Sequence, residues 1–271
     1  MPPKNPEQIP VLVTGVGRIR VGDNDFRGYS VGRDLAGRYG LWSLMSVAVG
    51  GPLLESDDAQ VLEDMAGCAM LADPRAWPLK IMQLLAVSGH PETAVGAGHL
   101  FLRGAMLGPE AVRSCARLLV ELSHDLGERP TAPEVQDWYD ARYPSGQRIP
   151  GFGVPTRSFD ERHRQFSELL RRRGRHNRPF WTLMELVIDA MQTRLGQSPN
   201  FALSNASAML DLGLDPDQCM YVTILLLSPT LWANAVESAH LRAECLADLP
   251  SNLVRYVGPA RRRSPKVKGS G

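Results

Sequence analysis

Apolar positions recur at three- and four-residue spacing along most of this chain, the period of helices with one buried face. Strand-like alternation is confined to a few residues within 11–21, so the pattern predicts an all-α protein. Helices are expected over 33–49, 57–71 and 78–88, each bounded by glycine or proline. Over 109–126, Val112, Cys115, Ala116, Leu119 and Leu122 share one face, with Arg113, Arg117 and Glu121 on the other. The helix expected over 131–143 opens with Thr-Ala-Pro-Glu, where the Thr131 hydroxyl can cap and Glu134 can reach back to the first amides. Residues 179–195 are apolar on most sides and should be buried on most sides. Two stretches rich in Pro, Gly and Ser, 144–158 and 196–207, read as long irregular segments, where binding loops are usually found.

The apolar run 220–236 is shorter than the ~20 residues of a spanning helix. Ser228, Pro229, Thr230 and Asn234 also interrupt it. It predicts a buried helix, either central to the core or at a subunit interface.

Composition narrows the picture only a little. With 271 residues, 44% hydrophobic and a formal net charge of +1, the chain should be a soluble globular protein of one or two domains. Near-neutrality argues against nucleic acid as the main partner. The start, MPPKNPEQIP, has no apolar run behind its lysine, so neither a secretory signal nor a membrane partner is expected, and the location is expected to be cytoplasmic. Cys68, Cys115, Cys219 and Cys245 lack CxxC spacing and lie in apolar or amphipathic stretches, which fits reduced thiols and no metal site. The tail 260–271, ARRRSPKVKGSG, is basic and without periodicity, hence expected to be disordered. The run RRRGR at 171–175 is expected to be a solvated helix end.

Candidate chemistry concentrates at 149–162, IPGFGVPTRSFDER, where Gly151 and Gly153 leave room for a ligand and Asp160, Glu161 and Arg162 supply charge, yet Val154 stands at the tip. Together with DNDFRGYSVGRDLA (23–36), AMLGPEA (105–111), SPNFALSNASAMLDLGLDP (198–216), LWANAVE (231–237) and LVRYVGP (253–259), it resembles the citrate synthase superfamily, six landmarks in order over nearly the whole chain. The resemblance implies an all-α fold with a large domain over 1–109 and 208–259 and a smaller inserted domain over 110–207. It also implies a homodimer, a CoA thioester as co-substrate and no tightly bound cofactor.

In that superfamily an aspartate deprotonates the acyl-CoA, a histidine hydrogen-bonds the enol oxygen and a second histidine acts on the 2-oxo acid. Here the first histidine position, after Gly108-Pro109, falls on Glu110 or Ala111. The second falls on Val154, and the aspartate, after Asn200 and Phe201, falls on Ala202. Arg162 matches a substrate-binding arginine, and a further one falls on Leu210 or Asp211. Losing a general base costs on the order of 10² to 10⁴ in rate and losing an oxyanion donor about 10² to 10³, so useful citrate synthesis is not expected.

Three readings remain open. The first is a rewired enzyme of a specialised biosynthetic pathway, with Glu110 as replacement acid or base and Asp73, His90 and His99 behind it, holding substrate through Gly151, Gly153, Val154, Arg162, Asn200, Ala202, Ser204 and Asn205. The second is an inactive relative that binds a ligand or regulates a partner subunit. The third is a scaffold whose pocket is filled by Val154, Phe201 and Leu203. Arg261–Arg263 are candidates for the ribose phosphate of CoA.

Overall fold

A computed structural model describes residues 13–70, 77–102, 108–127, 129–144, 147–154, 158–240, 251–253 and 255–262, without the side chains of 77, 78, 192–195 and 251. Asp73, Cys245, Arg263 and most of the basic tail, and much of AMLGPEA, lie outside the described residues.

Strand structure reaches beyond the expected 11–21, as a three-stranded antiparallel meander, β1 (Gly17–Arg20), β2 (Asp23–Phe26) and β3 (Tyr29–Ser30), in that spatial order. Asp23 ties it to the following turn by accepting from the Ser30 hydroxyl and the Gly32 amide. The helix expected from 33 begins later, because Ser30 caps a short π-helical turn, Val31–Leu35, and Gly37 then takes a left-handed conformation.

Ten helices follow among the described residues: α1 (Leu41–Ala48), α2 (Ser56–Ala69), α3 (Trp77–Ala86), α4 (Pro91–Phe101), α5 (Pro109–Leu126), α6 (Ala132–Arg142), α7 (Glu161–Arg172), α8 (Pro179–Leu195), α9 (Phe201–Asp211) and α10 (Pro216–His240). The α6 capping box forms as its sequence predicts, Thr131 N–H donating to Glu134 Oε2 at 2.7 Å and Glu134 N–H facing Thr131 Oγ1. Helix α8 buries Trp181, Leu183, Met184, Val187, Ala190 and Met191 around much of its circumference. The segment 196–207 is not irregular throughout: α9 starts at Phe201, and Ser204, Asn205 and Ser207 point into the core. Composition misled there, because inward polar residues look like loop residues in a sequence.

The basic run is a tether. Arg173 pairs with Asp64, Arg175 with Asp58 at 3.2 Å and Arg171 with Glu185 at 3.5 Å, joining the end of α7 to α2 and α8. Arg178 donates to Asp58 at 2.6 Å.

Two apolar clusters organise the packing. The larger contains residues of α1, α2, α5 to α9 and the first half of α10, and so crosses both limits of 110–207. The smaller joins α3 and α4 to the second half of α10, with Leu79, Met82, Ala94, Val95, Leu231 and Ala235 at its centre. By length and composition α10 could cross a membrane. In the fold it is a core helix that packs on α2, α3, α4, α5 and α9. Cys115 and Cys219 are buried free thiols, Cys115 pushed up by burial to about 12 and Cys219 also raised, which suits inert core residues.

Candidate functional site

The glycine loop closes on the segment before α9. Gly153 N–H donates to Ser198 O at 2.9 Å, Asn200 N–H donates to Gly151 O at 2.8 Å, and Phe152 and Pro199 form a β-bridge. Asn200 Nδ2 adds a contact to Gly153 O at 3.3 Å, while its Oδ1 caps α9 by accepting from Ala202 N–H. The glycines are therefore required by the loop itself. Gly151 has φ +92° and a Cβ there would stand 3.0 Å from Leu203, and Gly153 has φ +83° beside Gln197. This corrects the expectation of a loop open at the backbone, since the Gly153 amide is already engaged. Val154 is half-buried at the tip.

Asp160 anchors the second wall. It is the N-cap of α7, its side chain is fully buried, and it accepts from Arg162 N–H, Arg162 Nε at 2.8 Å, Arg162 Nη2 at 2.7 Å and Phe201 N–H at 2.9 Å. Burial pushes its pKa up, but the Arg162 guanidinium and the amides outweigh burial and hold it below the usual carboxylate value. One carboxylate thus caps α7, braces the first amide of α9 and fixes Arg162, whose guanidinium lies 5.3 Å from the Phe201 ring centre. The sequence reading placed Asp160 only as nearby charge; its position ahead of Glu-Arg at a helix start was the available signal.

His163, which the sequence reading did not single out, sits one residue beyond Arg162. Its Nδ1 is 2.6 Å from the fully buried Ser204 hydroxyl, and its ring stacks on Trp181 at 6.5 Å. Burial lowers its pKa, more than Asp160 and Glu185 raise it, so the imidazole is neutral at pH 7. Asn205, the next residue of α9 after Ser204, is 4% exposed and its Oδ1 has no hydrogen-bond partner.

The structure brings together Gly151, Gly153, Val154, Asn200 and, through Asp160 and α9, Arg162, Ala202, Ser204 and Asn205. Glu110 has other partners: it is clamped by Arg113, which also reaches Asp217 at 3.4 Å. Gly153 and Asn200 lie together at the glycine loop. Gly108, with φ +62°, packs against Leu102 instead. His99 lies on α4 in the smaller cluster's helix pair, with Nε2 3.4 Å from the Ser228 hydroxyl and its pKa lowered by burial. His90 is exposed, 3.5 Å from Glu92. Asp211 accepts from the Phe180 and Trp181 amides at 2.8 Å each and so caps α8, with burial pushing its carboxyl up to about 6. A separate open cleft of about 630 Å³ lies between the start of α1 and α2, lined by Tyr39, Trp42, Glu55, Gln60 and Glu63, where Trp42 Nε1 donates to Glu63. Among the described residues, no group of His, Cys, Asp and Glu is arranged to hold a metal ion.

No family model and no curated protein matches the sequence. Solved structures do. The fold is similar to citryl-CoA lyase from Hydrogenobacter thermophilus, with TM-score 0.76 and 19% identity over 94% of this chain and 98% of that one. It is also similar to ATP citrate lyase from Methanothrix soehngenii in complex with citrate and coenzyme A (TM-score 0.70, 16% identity), covering 93% of this chain and 42% of that one. A third likeness is to citrate synthase from Thermotoga maritima, with TM-score 0.62 and 14% identity over 83% and 59% of the two chains. The chain therefore has the all-α, citrate synthase-like fold.

Proposed function

We propose that the protein acts on an acyl-CoA, a 2-oxo acid-type substrate or both, in carbon–carbon bond formation or cleavage of the lyase or synthase type, and not in citrate synthesis. The observation that carries this reading is the convergence at the N-terminal end of α9 of the glycine loop, the Asn200 cap and the Asp160–Arg162 pair. Arg162 uses Nε and Nη2 for Asp160, and its Nη1 group remains for a substrate carboxylate. Val154 and Ala202 supply neither base nor hydrogen-bond donor, so the chemistry must start from a substrate more activated than acetyl-CoA.

The same proposal includes a twofold homodimer, cytoplasmic location, a CoA thioester as co-substrate and a small domain over 110–207 that closes on the large one. A stripe of Tyr221, Ile224, Trp232 and Val236 on the outer face of α10 supports the dimer. Arg261 and Arg262 are proposed to reach a ribose phosphate of CoA.

A second reading, an inactive homologue that binds a ligand or regulates a partner subunit, is favoured by one observation: Glu110, Arg162 and the Gly153 amide all have internal partners. Calorimetric titration with CoA and acetyl-CoA tests the common ground. A dissociation constant below roughly 100 µM, about −5.5 kcal/mol, is expected and leads to a screen of acyl-CoA and 2-oxo acid pairs for turnover. Absence of binding up to millimolar concentration refutes the CoA thioester as co-substrate and leaves a free acid substrate or a protein partner to be tested.

A further inference from the structure

Polar residues inside a helical core normally find partners, because an unpaired buried donor or acceptor loses its hydration without compensation. Helix α9 obeys this nearly throughout. Asn200 Oδ1 accepts from Ala202 and its Nδ2 reaches Gly153 O, Ser204 pairs with His163, and Ser207 donates to Ser204 O at 3.0 Å. Asn205 is the exception: its Oδ1 is buried and has no partner. At ~100° per residue, position 205 projects about 40° from Phe201 and about 60° from Ala202, one turn deeper than both. Arg162 lies over the Phe201 ring. Ala202, half-buried, ends in a methyl group. Position 205 therefore lies between the directions of Phe201 and Ala202 on the helix.

We infer that Asn205 selects the occupant of the proposed site at the N-terminal end of α9 by accepting a hydrogen bond from a hydroxyl or N–H that the occupant carries, while Arg162 holds the occupant's carboxylate. This rests on the proposed function and adds to it a requirement that the fold does not dictate. A thioester carbonyl and a carboxylate bring acceptors only, and neither satisfies Oδ1. A site with a buried polar group unpaired in the absence of its ligand discriminates strongly against analogues that lack the matching group.

The test is calorimetric titration of the full chain with L-malate and with succinate, two diacids that differ by one hydroxyl, and with CoA. It is repeated on Asn205→Leu, which replaces the amide by two methyl groups on the same branched skeleton, and on Asn205→Ser as a smaller polar control. The wild-type protein is expected to bind L-malate at least about tenfold more tightly than succinate. Asn205→Leu is expected to lose that preference while keeping its CoA affinity, and Asn205→Ser to retain part of the preference. Equal binding of the two acids by wild type, or an undiminished preference in Asn205→Leu, overturns the inference. Binding of CoA without either acid overturns it too and leaves the proposed function standing; binding of none of the three removes both.

Discussion

Replacing Asp211 with asparagine should reverse sign in its effect on stability across the acidic range. The Asp211 carboxyl accepts one amide on each oxygen, from Phe180 and Trp181, and burial raises its folded pKa from 3.8 to about 6. A carboxyl with a raised folded value binds its proton more readily in the native state, so stability falls as pH rises from about 4 to about 6 and stays reduced above that. The shift of about two units, at about 1.4 kcal/mol each, puts the loss on the order of 3 kcal/mol. The asparagine carbonyl can serve one amide while its NH₂ faces the other, a pH-independent cost of about 1–3 kcal/mol. Asp211→Asn should therefore be less stable than wild type at pH 4 and equal to it or more stable at pH 7. Urea unfolding of both proteins at a series of pH values measures the gap, and the titration of every other carboxylate is common to the two proteins. A gap that stays flat from pH 4 to pH 7 would refute the reasoning, since Asp211 would then titrate alike folded and unfolded.

Three further outcomes follow from named contacts. Asp160→Ala leaves Arg162 without its carboxylate and α9 without its first acceptor, and should cost about 3–5 kcal/mol in denaturant unfolding. Because the Asp160 pKa is lowered, the stabilisation it provides is present at neutral pH and lost as pH falls through the folded value, so wild type and variant should converge in acid. Gly151→Ala meets both a positive φ and Leu203 and should cost about 1–3 kcal/mol, whereas Gly127→Ala, also at positive φ but with nothing within 4 Å, should cost less in the same assay. Thr131→Ala removes one half of the α6 capping box and should lower stability by about 1 kcal/mol, measurable as a shift of the urea midpoint with unchanged slope.

Much of the fold was legible because helix period and stop signals are local. Helix α5 runs over the residues its Val112–Leu122 face predicted, and Thr131 caps where the Thr-Ala-Pro-Glu signal put it. What escaped is what depends on partners distant in sequence. Arg171, Arg173 and Arg175 read as solvated until α2 and α8 bring Asp64, Asp58 and Glu185 beside them. Ser204 and Asn205 read as part of a loop because polarity in a sequence does not reveal which way a side chain points. The superfamily landmarks located the glycine loop, Asn200 and Arg162. They gave no hint that Asp160 also accepts from the Phe201 amide or that His163 braces Ser204, since both contacts cross the α7–α9 junction.

The division of the apolar interior into two clusters carries a consequence for cooperativity. Helices α3 and α4 pack on each other and on α10, and their cluster meets the rest of the core through Leu227 and the helix that carries Pro229. Proline has no amide hydrogen, so the ladder of α10 lacks one rung where the helix passes between the clusters. A unit joined to its neighbour by one imperfect helix can open without the whole molecule unfolding. Amide hydrogen exchange should therefore divide the protein into two classes: α3, α4 and the last turns of α10 exchanging through a smaller opening, and α5, α8 and α9 exchanging only when the larger core gives way.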